Sequence, residues 1–536
     1  MNELCASLTR RAFIRIAGVA SAGLLTGAGR IQQSRAETLL PLVAADDASS
    51  AFAQDLIKAD QGVNLGWASR SLTRAIESET DALQSPHVEV GQFEHLIEKK
   101  AAHDRAGWNW SHAIQAAIDW SETRGLICVL PPGMLRLTQP LELGSDSRLY
   151  ISPQTTLLKD FNSLGTFAGT IKNKGDSKGV SNVLVFGGGV IKSRSGRVGK
   201  HIVFFNSSLV SVVNIRIRNT YSDWTTKFQN CSRVLIYGND TDVESTEVLT
   251  DGWHFKGQSR NIVVANNRVR TGDDCIAFTQ EVPGVDESGD IEYATVVNNT
   301  LDSAQSSLIK LHVRAGISSA IRHITINGVE GKVGRIHQGG FAFYFSDEGL
   351  TQKISDIKVS NLIGRCEDNG DYCARLISCR DVQIDNFQAL DAQRGVLIED
   401  SNGVRLDNLQ IHNLRGQGVD LSSGVTLQNT ERFWITNPIV KRTWQHGIQL
   451  GSPGKPASQG MVMGGVLSEC LSTGLRLANA NGVSVEGVSC LSNKYGIVED
   501  RGSRGNLILR NRISHNYAAP LSLRGEGSIE EENKLN

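Results

Sequence analysis

The chain has 536 residues, 40% of them apolar and 21% charged, which is enough to bury a large core and excludes a disordered chain. A net charge of −1 leaves no electrostatic footprint for nucleic acid or an anionic membrane surface, so any charged ligand must be recognised locally. Glycine, at 54 residues, exceeds its usual share of about 7% while prolines number 11, and many tight turns follow.

In chain order, Thr9-Arg10-Arg11-Ala12-Phe13-Ile14-Arg15 resembles the twin-arginine export signal. A small-residue apolar run from Ile16 to Ala28 follows it, then Ser34-Arg35-Ala36 as a cleavage site. The resemblance implies a bacterial protein that loses residues 1–36. The twin-arginine machinery would carry it, already folded, to the periplasm or beyond. Such a signal is an address and not an anchor, and no other stretch approaches the ~18 consecutive apolar residues that span a bilayer. Residues 37–100 are polar, with Leu72, Ile76 and Leu83 spaced among charges in a partly helical pattern, and are set apart as an N-terminal extension of unknown role.

Residues 101–536 read as one domain. The segment from Ser111 to Trp120 has helical apolar spacing, with Ser111 placed to cap it, and leads into a buried strand, Leu126 to Leu130, stopped by Pro131-Pro132-Gly133. From residue 180 onward short β-branched runs alternate with glycine or asparagine: Val183 to Phe186, Val212 to Ile217, Val234 to Tyr237, Ile262 to Val264. Later runs share the pattern apolar-x-apolar-x-Asn, ending at Asn386, Asn408 and Asn511. The step from Val382 to Val404 is 22 residues, as is the step from Asp251 to Asp273. Repeats of that length with short strands and no intervening helices predict a stack of coils with asparagine ladders at equivalent corners; a β-propeller would need four-stranded blades of about 40 residues. The helix followed by strand-Pro-Pro-Gly resembles the entrance to pectate-lyase-like folds. The expected architecture is therefore an all-β, single-stranded, right-handed parallel β-helix whose open end is plugged by an N-terminal capping helix. An uncovered terminal coil would offer unpaired strand edges. The polar end from Glu526 to Asn533 is expected to close or fray from the stack.

Of nine cysteines, Cys5 leaves with the signal. Cys366 and Cys373 flank a polar loop and are the disulfide candidate for an oxidising compartment, whereas Cys470 and Cys490, 20 residues apart, are expected to stack as small hydrophobes. No cysteine or histidine cluster has zinc-like spacing, and neither a metal nor a cofactor is expected.

Gly187-Gly188-Gly189-Val190-Ile191, Trp224, Thr250-Asp251-Gly252 and Gly272-Asp273-Asp274-Cys275-Ile276-Ala277 together resemble the ordered motifs of glycoside hydrolase family 28, the polygalacturonases. Hydrolysing a glycosidic bond takes one group to protonate the leaving oxygen and another to activate water, and adjacent carboxylates repel so that one keeps its proton near neutral pH. The resemblance implies Asp273 as general acid, with Asp251 and Asp274 positioning and deprotonating the water for attack with inversion. Taken singly, an Asp-Gly or Asp-Asp pair is an ordinary turn; the spacing and order of the set point to a site.

Two departures stand out. Leu249 occupies the place of the family's asparagine, and neither its Gly-His-Gly nor its Arg-Ile-Lys is found in the coils after Asp274, where Gln305 to Arg314 and Phe341 to Phe345 stand. Lys310, His312 and Arg314 alternate with apolar residues and form a candidate cationic row for an acidic sugar, extended by His254 and Lys256; the bland alternative is a solvated face. Trp224 and Trp253 are candidate stacking platforms, a buried tryptophan being the alternative for each. The expected partner is thus an acidic, galacturonan-like polysaccharide, with oligomeric state left open. Two rival functions share the fold: a polysaccharide lyase, often calcium-assisted, and a non-catalytic polysaccharide-binding protein.

Overall fold

The structure is a computed structural model that describes residues 66–536 apart from 85, 100–106, 220, 222, 244–249, 285–287, 335–339, 367–371 and 417–421. The export signal, Leu249 and the loop between Cys366 and Cys373 lie outside the described residues.

Short strands coil around a continuous apolar core, each pairing in parallel with its equivalents one coil before and one coil after. Within a strand, alternate residues point inward: in Trp253–Lys256, Trp253 and Phe255 are fully buried in the core while His254 and Lys256 face outward. One sheet has 15 strands in strict chain order, from Leu141–Leu143 to Ala519–Leu523. Its inner face carries a ladder of rings, Phe204, Phe228, Phe255 and Phe278, with centroids 6.0, 5.4 and 5.1 Å apart.

The asparagine pattern has two distinct causes. Asn214, Asn266, Asn298, Asn386 and Asn408 occupy a left-handed corner with φ between 51° and 56°, a conformation that asparagine tolerates and glycine takes over at Gly238 and Gly328. One residue further on, buried Asn239, Asn267 and Asn299 form the predicted ladder, each side-chain amide donating to the next side-chain oxygen at 3.0 Å. Asn511 belongs to the second kind, pairing with Asn533 at 3.0 Å. The ladder satisfies polar groups that would otherwise be stranded inside a corner.

Helix α1, Gly66–Gln84, buries Trp67, Ala68, Leu72 and Ala75. It lies on the outward row Leu184, Ser211, Leu235 of the other sheet, which it covers. The described part of the extension is therefore not on the 15-stranded sheet. The strand His87–Glu89 already pairs with Ile127–Leu130, so the stack reaches back into the segment 37–100. Helix α2, Ser111–Glu122, turns Ala113, Ile114, Ala117 and Ile118 onto the first coil and plugs it. Ser111 does not cap it: Asn109 Oδ1 accepts from both the Ser111 amide at 3.1 Å and its hydroxyl at 2.8 Å, while the Ser111 hydroxyl oxygen takes the Thr138 amide of the next turn. The polar C-terminal stretch continues the stack, with Ile529–Glu531 and Lys534–Leu535 paired to the preceding coil and exposed.

Cys366 and Cys373 are both free and buried, which corrects the disulfide candidate. Burial and the neighbouring Cys366 thiol push the Cys373 thiol well above its usual range, as expected for two core thiols lying against each other. Cys470 and Cys490 are likewise free and buried, as small hydrophobes, but Cys490 pairs in register with Leu467 and not with Cys470.

Candidate active site

The site rests on the outer face of the 15-stranded sheet, where Trp253–Lys256, Ile276–Gln280 and Ser307–Val313 stack with Trp253, Ile276 and Ile309 in register. The turns entering the first two strands carry the carboxylates. Those turns nest closely: the Gly252 amide donates to Asp274 O at 2.8 Å, and a Cβ on Gly252 would stand 2.4 Å from the Cys275 carbonyl, so only glycine fits. The coil step here is 23 residues, not 22, so Asp251 stacks on Asp274, whose amide donates to Asp251 Oδ1 at 3.3 Å. Asp273 is left beside the pair. It is the half-buried member of the three, its backbone oxygen held by the Thr271 and Ser303 hydroxyls at 2.8 and 2.7 Å.

Each carboxylate has its own surroundings. Asp274 accepts from the Ser306 hydroxyl at 2.7 Å, the Ser307 amide at 3.0 Å and the Lys310 ammonium at 3.1 Å. Burial, then the charges of Asp274 and Asp251, push Asp273 up to about 7. Burial and Asp274 also push Asp251 well above the usual carboxylate range. Asp274, first of all, and then Asp251 hold Lys310 above the ordinary lysine range, against the effect of its burial. Nearest oxygens of the three aspartates lie within 4.8 Å of one another. That set of oxygens is compact enough for a hard cation, and the Lys310 ammonium is the cation that compensates it here.

The predicted cationic row is not a row of free cations. His254 is 2% exposed, with Nδ1 2.5 Å from Asp251 Oδ2, Nε2 2.8 Å from the Thr279 hydroxyl and the Trp224 ring stacked on it at 3.9 Å. Burial lowers it to about 3, so it is neutral. Lys256 pairs with Glu281 at 3.2 Å, and His312 stands between Glu281 at 3.4 Å and Glu348 at 3.1 Å. Burial alone would raise Glu281, but His312, Lys256 and Lys310 outweigh it and hold that carboxyl far below its usual range. Arg314 lies one residue beyond the strand, exposed. Trp253 is a core residue and no platform for a sugar. Trp224 is half-buried, with the ammoniums of Lys256, Lys200 and Lys227 at 5.0, 5.8 and 5.8 Å from its ring.

Sequence reasoning missed Thr279, Glu281, Ser306, Ser307, Lys200 and Lys227. Register alone would have found Lys227, one coil below His254, and Ser306 and Ser307, one coil above Asp273 and Asp274. That coil is longer than the one before it, Ile276 pairing with Ile309 where Trp253 pairs with Ile276, which hides the equivalence from a fixed period. Where the family's Arg-Ile-Lys was sought, Tyr344 stands beside Lys310.

Residues 169–286 match Glycosyl hydrolases family 28, and residues 339–513 match the Right handed beta helix region. Polygalacturonase QRT2 of Arabidopsis thaliana is 27% identical over 198 residues, 34% of this chain and 41% of that protein, so the match spans less than half of that curated relative. Among solved structures, a Family 28 Exopolygalacturonase of Yersinia enterocolitica has 16% identity, with 83% of this chain and 78% of that chain covered and a TM-score of 0.43. A tailspike protein of E. coli bacteriophage HK620 has 11% identity, 76% and 79% coverage and a TM-score of 0.48. The stretch that carries Asp251, Asp273 and Asp274 is therefore the stretch that matches glycosyl hydrolases of family 28, set in a right-handed parallel β-helix.

Proposed function

We propose that this protein is an exported polysaccharide hydrolase, acting in the periplasm or outside the cell on an acidic, galacturonan-like chain. The observation that carries the reading is the division of labour among three carboxylates: Asp273, half-buried, keeps its proton up to about pH 7, while Asp274 accepts three hydrogen bonds. Asp273 donates its proton to the glycosidic oxygen as the bond to the anomeric carbon breaks. Water held at Asp251 and Asp274 attacks that carbon and gives its proton to the pair, so the products are a reducing end and an alcohol. Trp224 offers a half-buried ring to a sugar; Lys256 and Lys200 near it are already paired with Glu281 and Asp223, so the acidic substrate rests on the family resemblance.

Inversion is what the family resemblance implies. The anomer formed first distinguishes it from retention, in which a carboxylate attacks the sugar directly. Mature protein from Glu37 is incubated with polygalacturonate and a panel of acidic and neutral polysaccharides, with and without calcium. Reducing ends are followed together with the absorbance of unsaturated uronate, and the first-formed anomer is read by proton NMR. Reducing ends without absorbance, lost in Asp273→Asn, are expected. Calcium-dependent absorbance would move the assignment to a lyase, and binding without products to a non-catalytic role.

A further inference from the structure

Thr279 and His254 are outward-facing residues of adjacent strands, yet Thr279 is fully buried and His254 nearly so, sealed beneath the Trp224 ring. Among the described residues the Thr279 hydroxyl has one hydrogen-bond partner, His254 Nε2, at 2.8 Å. A buried O–H that donates to nothing is costly, so the hydroxyl donates and Nε2 accepts. A neutral imidazole has a single N–H, and with Nε2 accepting it sits on Nδ1. Nδ1 is 2.5 Å from Asp251 Oδ2, whose partner oxygen Oδ1 already takes the Asp274 amide. Both oxygens of Asp251 then face donors, an arrangement that favours the ionised form against the burial and the Asp274 charge that push its carboxyl up.

We propose that Thr279 and His254 form a positioning relay that presents Nδ1–H to Asp251 and keeps it the water-activating base. The role is one of orientation, since His254 is closed off from substrate by Trp224, Asp251 and Thr279. The assignment rests on the hydrolase reading for its catalytic consequence, but the tautomer itself does not.

Two readouts separate them. In protein labelled with nitrogen-15 histidine, the His254 signal, identified by its loss in His254→Asn, is expected to report protonated Nδ1 and bare Nε2. Thr279→Val frees Nε2 and is expected to shift that signal toward the other tautomer, while Thr279→Ser leaves it in place. In activity, His254→Asn puts an amide N–H near the position of Nδ1 and is expected to keep within about tenfold of native turnover. His254→Gln places its amide near Nε2 instead and is expected to lose about a hundredfold, in the range of a general acid–base contribution. Native-like melting of each variant excludes misfolding. A His254 signal with its proton on Nε2, or His254→Gln as active as His254→Asn, would overturn the relay. Absence of hydrolysis by the native protein would sink the hydrolase reading and still leave the tautomer to be read.

Discussion

The surroundings of Asp273 bear on the proposed activity and on stability alike. With a carboxyl pushed up to about 7 by burial, Asp274 and Asp251, activity is expected to fall as pH rises through about 7 and the acid loses its proton. The same shift has a stability consequence. A carboxyl whose folded pKa lies above its unfolded value favours the fold while protonated, and that contribution is lost as pH rises through the folded value. Asp273→Asn is therefore expected to melt above the native protein at pH 8 and to lose that advantage near pH 4. Lys310 acts in the opposite sense. Lys310→Met leaves the buried Asp274 carboxylate without its ion pair, and the expected cost is about 3–5 kcal/mol, read as a lower urea midpoint. His254, by contrast, was placed on the right coil by sequence pattern but given the wrong role, because only packing shows that Trp224 and Asp251 close around it.

At the scale of a strand and its corner, stability comes from repetition. Asn267 accepts from both the backbone amide and the side-chain amide of Asn239, at 2.9 and 3.0 Å. Asn267→Ala leaves two buried donors without an acceptor and is expected to cost about 3 kcal/mol, measurable by urea unfolding. Asn239 and Asn299, its ladder neighbours, carry that loss to the coils on either side. Alternation within each strand was plain in the sequence, since an inward apolar residue must be followed by an outward one. The capping role given to Ser111 was not sound, because Asn109 and Ser111 are equally able to take a helix amide and backbone direction decides between them.

For the whole molecule, the stack makes the thiols inaccessible. Eight described cysteines are buried and free, so native protein is expected to react with none of them and the unfolded mature chain with eight; six would mean that Cys366 and Cys373 are joined. Sequence by itself determined the repeating fold, the plugging helix and the three aspartates, because each follows from local pattern: alternation, turn residues and a shared order of motifs. Tertiary structure alone decided which residues meet across coils. Loop length varies from coil to coil, so a step of 23 rather than 22 puts Asp251 on Asp274, and a longer coil brings Ser306, Ser307 and Lys310 to the same carboxylate. Burial and charge then compete: at His254, under Trp224, burial is the larger effect and the imidazole is neutral, whereas at Lys310 the Asp274 carboxylate outweighs the loss of water.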